Sequence, residues 1–137
     1  MRTIRACLAV GCLLVLAGCA TTPDAGTQFD GTYAGASTLT RGNVAWCGPD
    51  SAPDSLAVSA GRFRYSYTFI GPATVGVQLQ LHADGSFSGG TEYLESEPGL
   101  FHGPLAWVTV VGHIAGATLD AQVESLNCGR HLSLSRS

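Results

Sequence analysis

Phe63, Tyr65, Tyr67 and Phe69 occupy every second position of a stretch whose intervening residues are Arg62, Arg64, Ser66 and Thr68. A helix advances 100° per residue and cannot place these four rings on one side, whereas a strand does so automatically. The stretch therefore reads as a half-buried β-strand with its aromatic face inward and its polar face outward. The alternation returns at Val75, Val77, Leu79 and Leu81, with Gln78, Gln80 and His82 on the other parity. It returns again at Leu119, Ala121 and Val123, and Leu132 and Leu134 share the parity of Cys128. Residues 105 to 111 form a more continuous apolar run, which predicts a strand buried on both faces or covered by a loop.

Turn residues punctuate these runs. Ala60-Gly61 predicts a tight hairpin back to Leu56-Ala57-Val58, and Asp84-Gly85 is the strongest hairpin signal, leading into Ser86-Phe87-Ser88. Gly112 and Gly116 bracket a further predicted turn. Residues 48 to 55 hold Gly48, Pro49, Asp50, Pro53 and Asp54 and read as a loop, as do residues 92 to 102 with Glu92, Glu95, Glu97, Pro98 and Gly99. No ten-residue stretch has a capped helical period. The expected fold is all-β: a single antiparallel barrel or sandwich of about eight short strands over residues 29–137.

The N-terminal segment is of another kind. Arg2 and Arg5 precede an apolar run from Ala6 to Leu16, too short to span a bilayer, and Leu16-Ala17-Gly18-Cys19 closes it. This pattern resembles the lipobox of bacterial lipoproteins, in which small residues flank the scissile bond and the cysteine thiol carries a diacylglycerol thioether. The resemblance implies a signal peptide over 1–18, a palmitate-class lipid anchor on Cys19, and a lipidated tether over 19–28. The alternative is an ordinary secretory signal cut at an Ala-x-Ala-like site. Ala9-Val10-Gly11-Cys12 is a weaker rival, since it leaves an apolar run of only about six residues, below the usual ~7–15. Ala20, where an aspartate would signal retention, implies sorting to an outer membrane with the domain in the periplasm or at the surface.

Beyond residue 18, five arginines face ten carboxylates, a formal charge of 5 − 10 = −5. Such a domain lacks the basic footprint for nucleic acid and is repelled by anionic lipid heads, so its attachment to the membrane falls to acyl chains. Cys7 and Cys12 leave with the signal and Cys19 is taken by lipid. Cys47 and Cys128 remain, an even pair that predicts a disulfide in an exported protein, the alternative being two buried thiols.

No reactive constellation stands out, so the expectation is no catalytic residue, no metal ligand and no cofactor. His82, His102, His113 and His131 are scattered, and Glu92, Glu95 and Glu97 read as a solvated loop. Tyr65 and Tyr67, with Trp107, are candidates for lining a ligand cavity; the aromatic stripe can equally be plain core.

Three resemblances bear on function. Residues 29–35, 83–89 and 116–119 are similar to small exported bacterial β domains, which informs fold alone. Gly31-Thr32-Tyr33 and Arg136 resemble the Gly-x-Trp opening and closing stacking arginine of calycin barrels (lipocalins and avidins), with Tyr33 in place of tryptophan; this implies a small-ligand binder. Ser88-Gly89-Gly90-Thr91-Glu92-Tyr93 resembles the Ser-Gly-containing inhibitory loop of lysozyme inhibitors. The leading expectation is a lipid-anchored envelope protein with a non-enzymatic binding or structural role, its partner an envelope protein or a small ligand. The alternatives are an inhibitor of a secreted hydrolase and a calycin-like ligand binder.

Overall fold

A computed structural model describes residues 23–68, 74–94 and 105–137. The signal segment, Cys19, Phe69, Glu95, Glu97 and His102 lie outside the described residues. The described residues are all-β, with eight antiparallel strands and one short helix among them: β1 (Gly31–Arg41), α1 (Val44–Cys47), β2 (Ser51–Val58), β3 (Arg62–Thr68), β4 (Thr74–Gln80), β5 (Ser86–Leu94), β6 (Leu105–Ala115), β7 (Thr118–Glu124) and β8 (Gly129–Arg136). Six strands form one sheet in the order β2-β1-β8-β7-β6-β5, and β3-β4 form a separate hairpin. The barrel is not closed, and a sandwich-like arrangement with a shared core describes it. Among the described residues, the backbone pairing between β2 and β3 is confined to the Ser59–Arg62 bridge at their turn.

The alternation in sequence becomes burial. Phe63, Tyr65 and Tyr67 are buried while Arg62, Arg64 and Ser66 are exposed, and Val77, Leu79 and Leu81 complete the inner face of that hairpin. Ala60 and Gly61 both take positive φ, 51° and 68°, the tight turn that matches strand twist. Asp30 satisfies its donors, accepting from Ala60 N at 2.8 Å and Gly61 N at 3.1 Å.

Four expectations are corrected. Residues 51–55 belong to β2 rather than a loop, with Pro53 opposite Ala36; a proline is tolerated there because β2 is an edge strand. The Asp84-Gly85 turn forms, with His82 N donating to Ser86 O at 2.9 Å, but the strands it joins lie in different sheets, so it is a corner rather than a hairpin. Residues 105–111 are not buried on both faces. Ala106, Val108 and Val110 point inward, whereas Trp107 and Val111 are each 56% exposed. Within residues 23–28, expected as tether, the Pro23 carbonyl accepts from Ala83 N at 2.7 Å and Ala25 N donates to Leu81 O at 3.1 Å.

Gly112 is a strand residue of β6, not the edge of a turn, and it faces Phe87 in the β5–β6 register. A Cβ there would lie 2.5 Å from the Phe87 ring and 2.6 Å from the Ala121 methyl. The missing side chain makes room for Phe87 to meet Phe63 edge to face, centroids 5.0 Å apart. Gly112→Ala is therefore expected to destabilise the domain by about 1–3 kcal/mol through overpacking. Urea unfolding measures it, and an unchanged midpoint would contradict this packing.

Candidate functional site

β2 and β3 leave the Ala60–Gly61 turn together and then separate. Towards the opposite end of the strands, this open seam holds a recess of about 240 Å³. Pro53 and Asp54 of β2 form one wall, and Tyr65 and Tyr67 of β3 the other. Ser37 of β1, Pro49 and Arg130 of β8 complete the lining. The sequence-predicted Tyr65 and Tyr67 are thus brought together, but Trp107 is not among them; Trp107, Thr109, Val111 and His113 of β6 face outward.

Arg130 is what the sequence reading missed. It shares the inward parity of Cys128, Leu132 and Leu134, and its exposure is 6%, making it the one buried charged residue among those described. Its Nε donates to Ser37 Oγ at 2.6 Å and its Nη1 to Cys47 O at 2.9 Å. Its Nη2 donates to Ser37 O at 2.9 Å and Pro49 O at 3.0 Å. All four acceptors are neutral oxygens. A guanidinium has five N–H bonds, so one on Nη1 is left over. Burying an ion without a counter-charge costs roughly several kcal/mol, which the carbonyl cage offsets only in part. The signal was available: an arginine on the inward parity of a strand.

The cage is held by the chain around it. Asn43 caps α1 by accepting from Trp46 N at 3.2 Å, and the Cys47–Cys128 disulfide, Cα atoms 5.6 Å apart, ties this segment to the start of β8. Arg41 secures the β7–β8 turn, donating to Glu124 Oε2 at 2.8 Å and to Ser125 O at 2.6 Å. That guanidinium holds the Glu124 carboxyl below its ordinary value.

Asp54 is the only carboxylate among the described residues that line the recess. It accepts from Tyr65 Oη–H at 3.2 Å and from Ser55 N at 2.8 Å, and no ion pair joins it to Arg130. Burial, and then the Asp54 charge, push the Tyr65 phenol well above the ordinary tyrosine value, with Arg130 opposing. A folded-state pKa above the unfolded one means that stability is complete below about pH 10 and declines as pH rises beyond it, because the unfolded chain alone releases this proton. Tyr65→Phe is expected to flatten that decline. Unfolding free energy measured across the alkaline range checks it, and an unaltered slope would count against the burial of this hydroxyl.

The other candidates are dispersed. His82 is half-buried beside the Asp84–Gly85 corner, His113 Nε2 lies 2.8 Å from Asp84 O, and half-buried His131 sits 2.9 Å from Asp120. Among the described residues, no three His, Cys, Asp or Glu side chains gather as a metal set. Glu92 is exposed on β5. Residues 88–93, likened to an inhibitory loop, are a strand paired residue by residue with β6, so that likeness does not hold in the fold. Tyr33 is fully buried and donates to Phe29 O at 2.9 Å. Arg136, the match to the calycin arginine, is exposed and lays its methylenes against Gly31. The chain matches no protein-family model, and neither a curated protein nor a solved structure is significantly similar to it.

Proposed function

We propose that this chain is a lipid-anchored cell-envelope protein whose β domain has a non-enzymatic binding role, with the seam recess as its binding site. The observation that carries the reading is the recess itself, a concave site with a buried, incompletely satisfied cation. Its placement suits an anchor on Cys19. Only residues 20–22 separate Cys19 from Pro23, and the backbone steps from 19 to 23 reach at most about 14 Å. Pro23 is fixed beside the Asp84–Gly85 corner, at the end that also carries the Ala60–Gly61 turn. α1, the disulfide and the recess lie at the other end. No helix among the described residues is long and apolar enough to cross a membrane.

An anchor at Cys19 thus turns the corner end towards the bilayer and holds the recess away from it by roughly 20 Å, about six or seven strand residues. Both tryptophans, Trp46 in α1 and Trp107 near the start of β6, belong to the far end. In vesicles containing brominated lipid, their fluorescence is expected to escape quenching, while Ala117→Trp in the β6–β7 turn is quenched. The reverse pattern would reject the orientation. Cys19→Ala is expected to abolish palmitate incorporation and membrane attachment while leaving the domain folded; equal labelling of variant and parent would reject the anchor.

A second reading, contact with a protein such as a secreted hydrolase, draws on Val44, Trp46 and Leu126, each more than half exposed in the segments flanking the disulfide. Pull-down from envelope extract with the acylated protein, with and without Trp46→Ala, distinguishes it from small-ligand binding.

A further inference from the structure

Arg130 and Asp54 present opposite charges to one recess without pairing with each other. The cation lies buried on β8, caged by neutral oxygens with one N–H over. The anion lies half-buried on β2, its carboxylate taken up by a hydroxyl and a backbone amide, both neutral. Tyr65, Tyr67, Pro49 and Pro53 are among the other residues that line the recess. We propose that the recess binds a small zwitterion of the α-amino-acid class, its carboxylate against Arg130 and its ammonium against Asp54. This inference rests on the recess being a binding site, as proposed above, and adds the chemistry of its occupant.

Three arguments favour a zwitterion over a simple anion or cation. An anion alone would gain from Arg130 but meet the Asp54 charge in the same small space, and a cation alone would meet the reverse conflict. A ligand carrying both charges satisfies both groups, and each pairing is stronger in a partly desolvated recess than in water. Asp54 accepts from the Tyr65 hydroxyl, and both line the recess together with Arg130, so the two charges border one small volume. The volume of about 240 Å³ is below the ~300–1,000 Å³ typical of drug-sized ligands and fits a single amino acid better than a large body. The proline and tyrosine rings then receive an apolar side chain.

Arg130 is unsuitable for the test variant, because its bonds hold α1 and β1 together. Asp54→Asn is suitable: it removes the charge, keeps Oδ1 as the acceptor for Ser55 N, and places an Nδ2–H where it can donate to the Tyr65 oxygen. The Nε–H of Arg130, fixed on Ser37 Oγ, serves as a nuclear magnetic resonance reporter inside the recess. The acylated full-length protein in detergent micelles is titrated with L-leucine, with isoamylamine (no carboxylate) and with N-acetyl-L-leucine (no ammonium). Leucine is expected to shift the Arg130 signal saturably, and each truncated analogue to bind at least about tenfold more weakly, the loss of one charge-assisted contact. In Asp54→Asn, leucine and N-acetylleucine are expected to bind within about twofold of each other. Absence of a saturable shift with leucine, equal binding of the three probes, or parental selectivity in Asp54→Asn would each overturn the proposal. Capture of a different small ligand at a recess unresponsive to leucine would overturn this assignment and leave the binding reading standing, whereas loss of palmitate labelling with the leucine shift intact would remove only the anchor.

Discussion

Removing the Cys47–Cys128 disulfide is expected to destabilise the domain by about 4–5 kcal/mol, the chain-entropy value for a closed loop of this length. The two residues are 81 apart in sequence, so the cross-link spans most of the described fold. For a domain of this size the loss is a large share of the roughly 5–15 kcal/mol that separates folded from unfolded chains. The recess should suffer beyond its share. Cys47 O and Pro49 O, two of the four acceptors around Arg130, belong to the segment that the disulfide pins. Without the cross-link, opening of that segment leaves a buried guanidinium short of partners, a change that costs roughly 1–3 kcal/mol per lost contact. Urea unfolding of the oxidised protein and of the Cys47→Ala, Cys128→Ala double variant measures the difference. A change below about 1 kcal/mol would show that the segment is held by Arg130 and α1 alone.

Phe63→Ala is expected to cost about 3–5 kcal/mol. Phe63 is 5% exposed and meets Phe87 edge to face at 87°, and this ring pair joins the β3–β4 hairpin to the six-stranded sheet. Because β2 and β3 share only one bridge, side-chain packing supplies much of what a continuous hydrogen-bond ladder would otherwise provide. Arg64→Ala, one residue further on the outward face, is expected to change stability by no more than about 0.5 kcal/mol. Its guanidinium lies over Gly76 of β4, a solvent-side contact that water can replace. Thermal melts of the two variants compare them directly. Equal melting temperatures, or a larger loss for Arg64, would mean that the register of β3 is the opposite of the one described.

Side-chain parity was legible because it is local. A strand places successive residues on opposite faces whatever its neighbours are, and so the burial of Phe63, Tyr65, Tyr67, Leu132 and Leu134 followed from the one-dimensional pattern. The Ala60–Gly61 turn was legible for the same reason, since its two positive φ values are a property of four consecutive residues. The cysteine pairing followed from the expectation of an exported chain in which Cys47 and Cys128 are the two thiols left over. In β6 the same pattern misled. Apolar residues at both parities looked like two buried faces, but among the described residues no second layer covers Trp107 and Val111, and no local feature of the sequence records that.

What the sequence determined by itself was the set of strands, their inward faces and the disulfide. The choice of partners came from the tertiary structure: β8 returning to β1, β3 and β4 standing apart as a hairpin, and the Asp84–Gly85 turn becoming a corner between sheets. The site belongs to that second category. Ser37, Cys47 and Pro49 reach Arg130 across 93, 83 and 81 residues of chain, and Asp54 and Tyr65 face each other only because β2 and β3 diverge after their turn. A strand's period constrains which way a residue points; what it meets there depends on non-local pairing, whose loop-closure entropy and packing are settled by the whole chain at once.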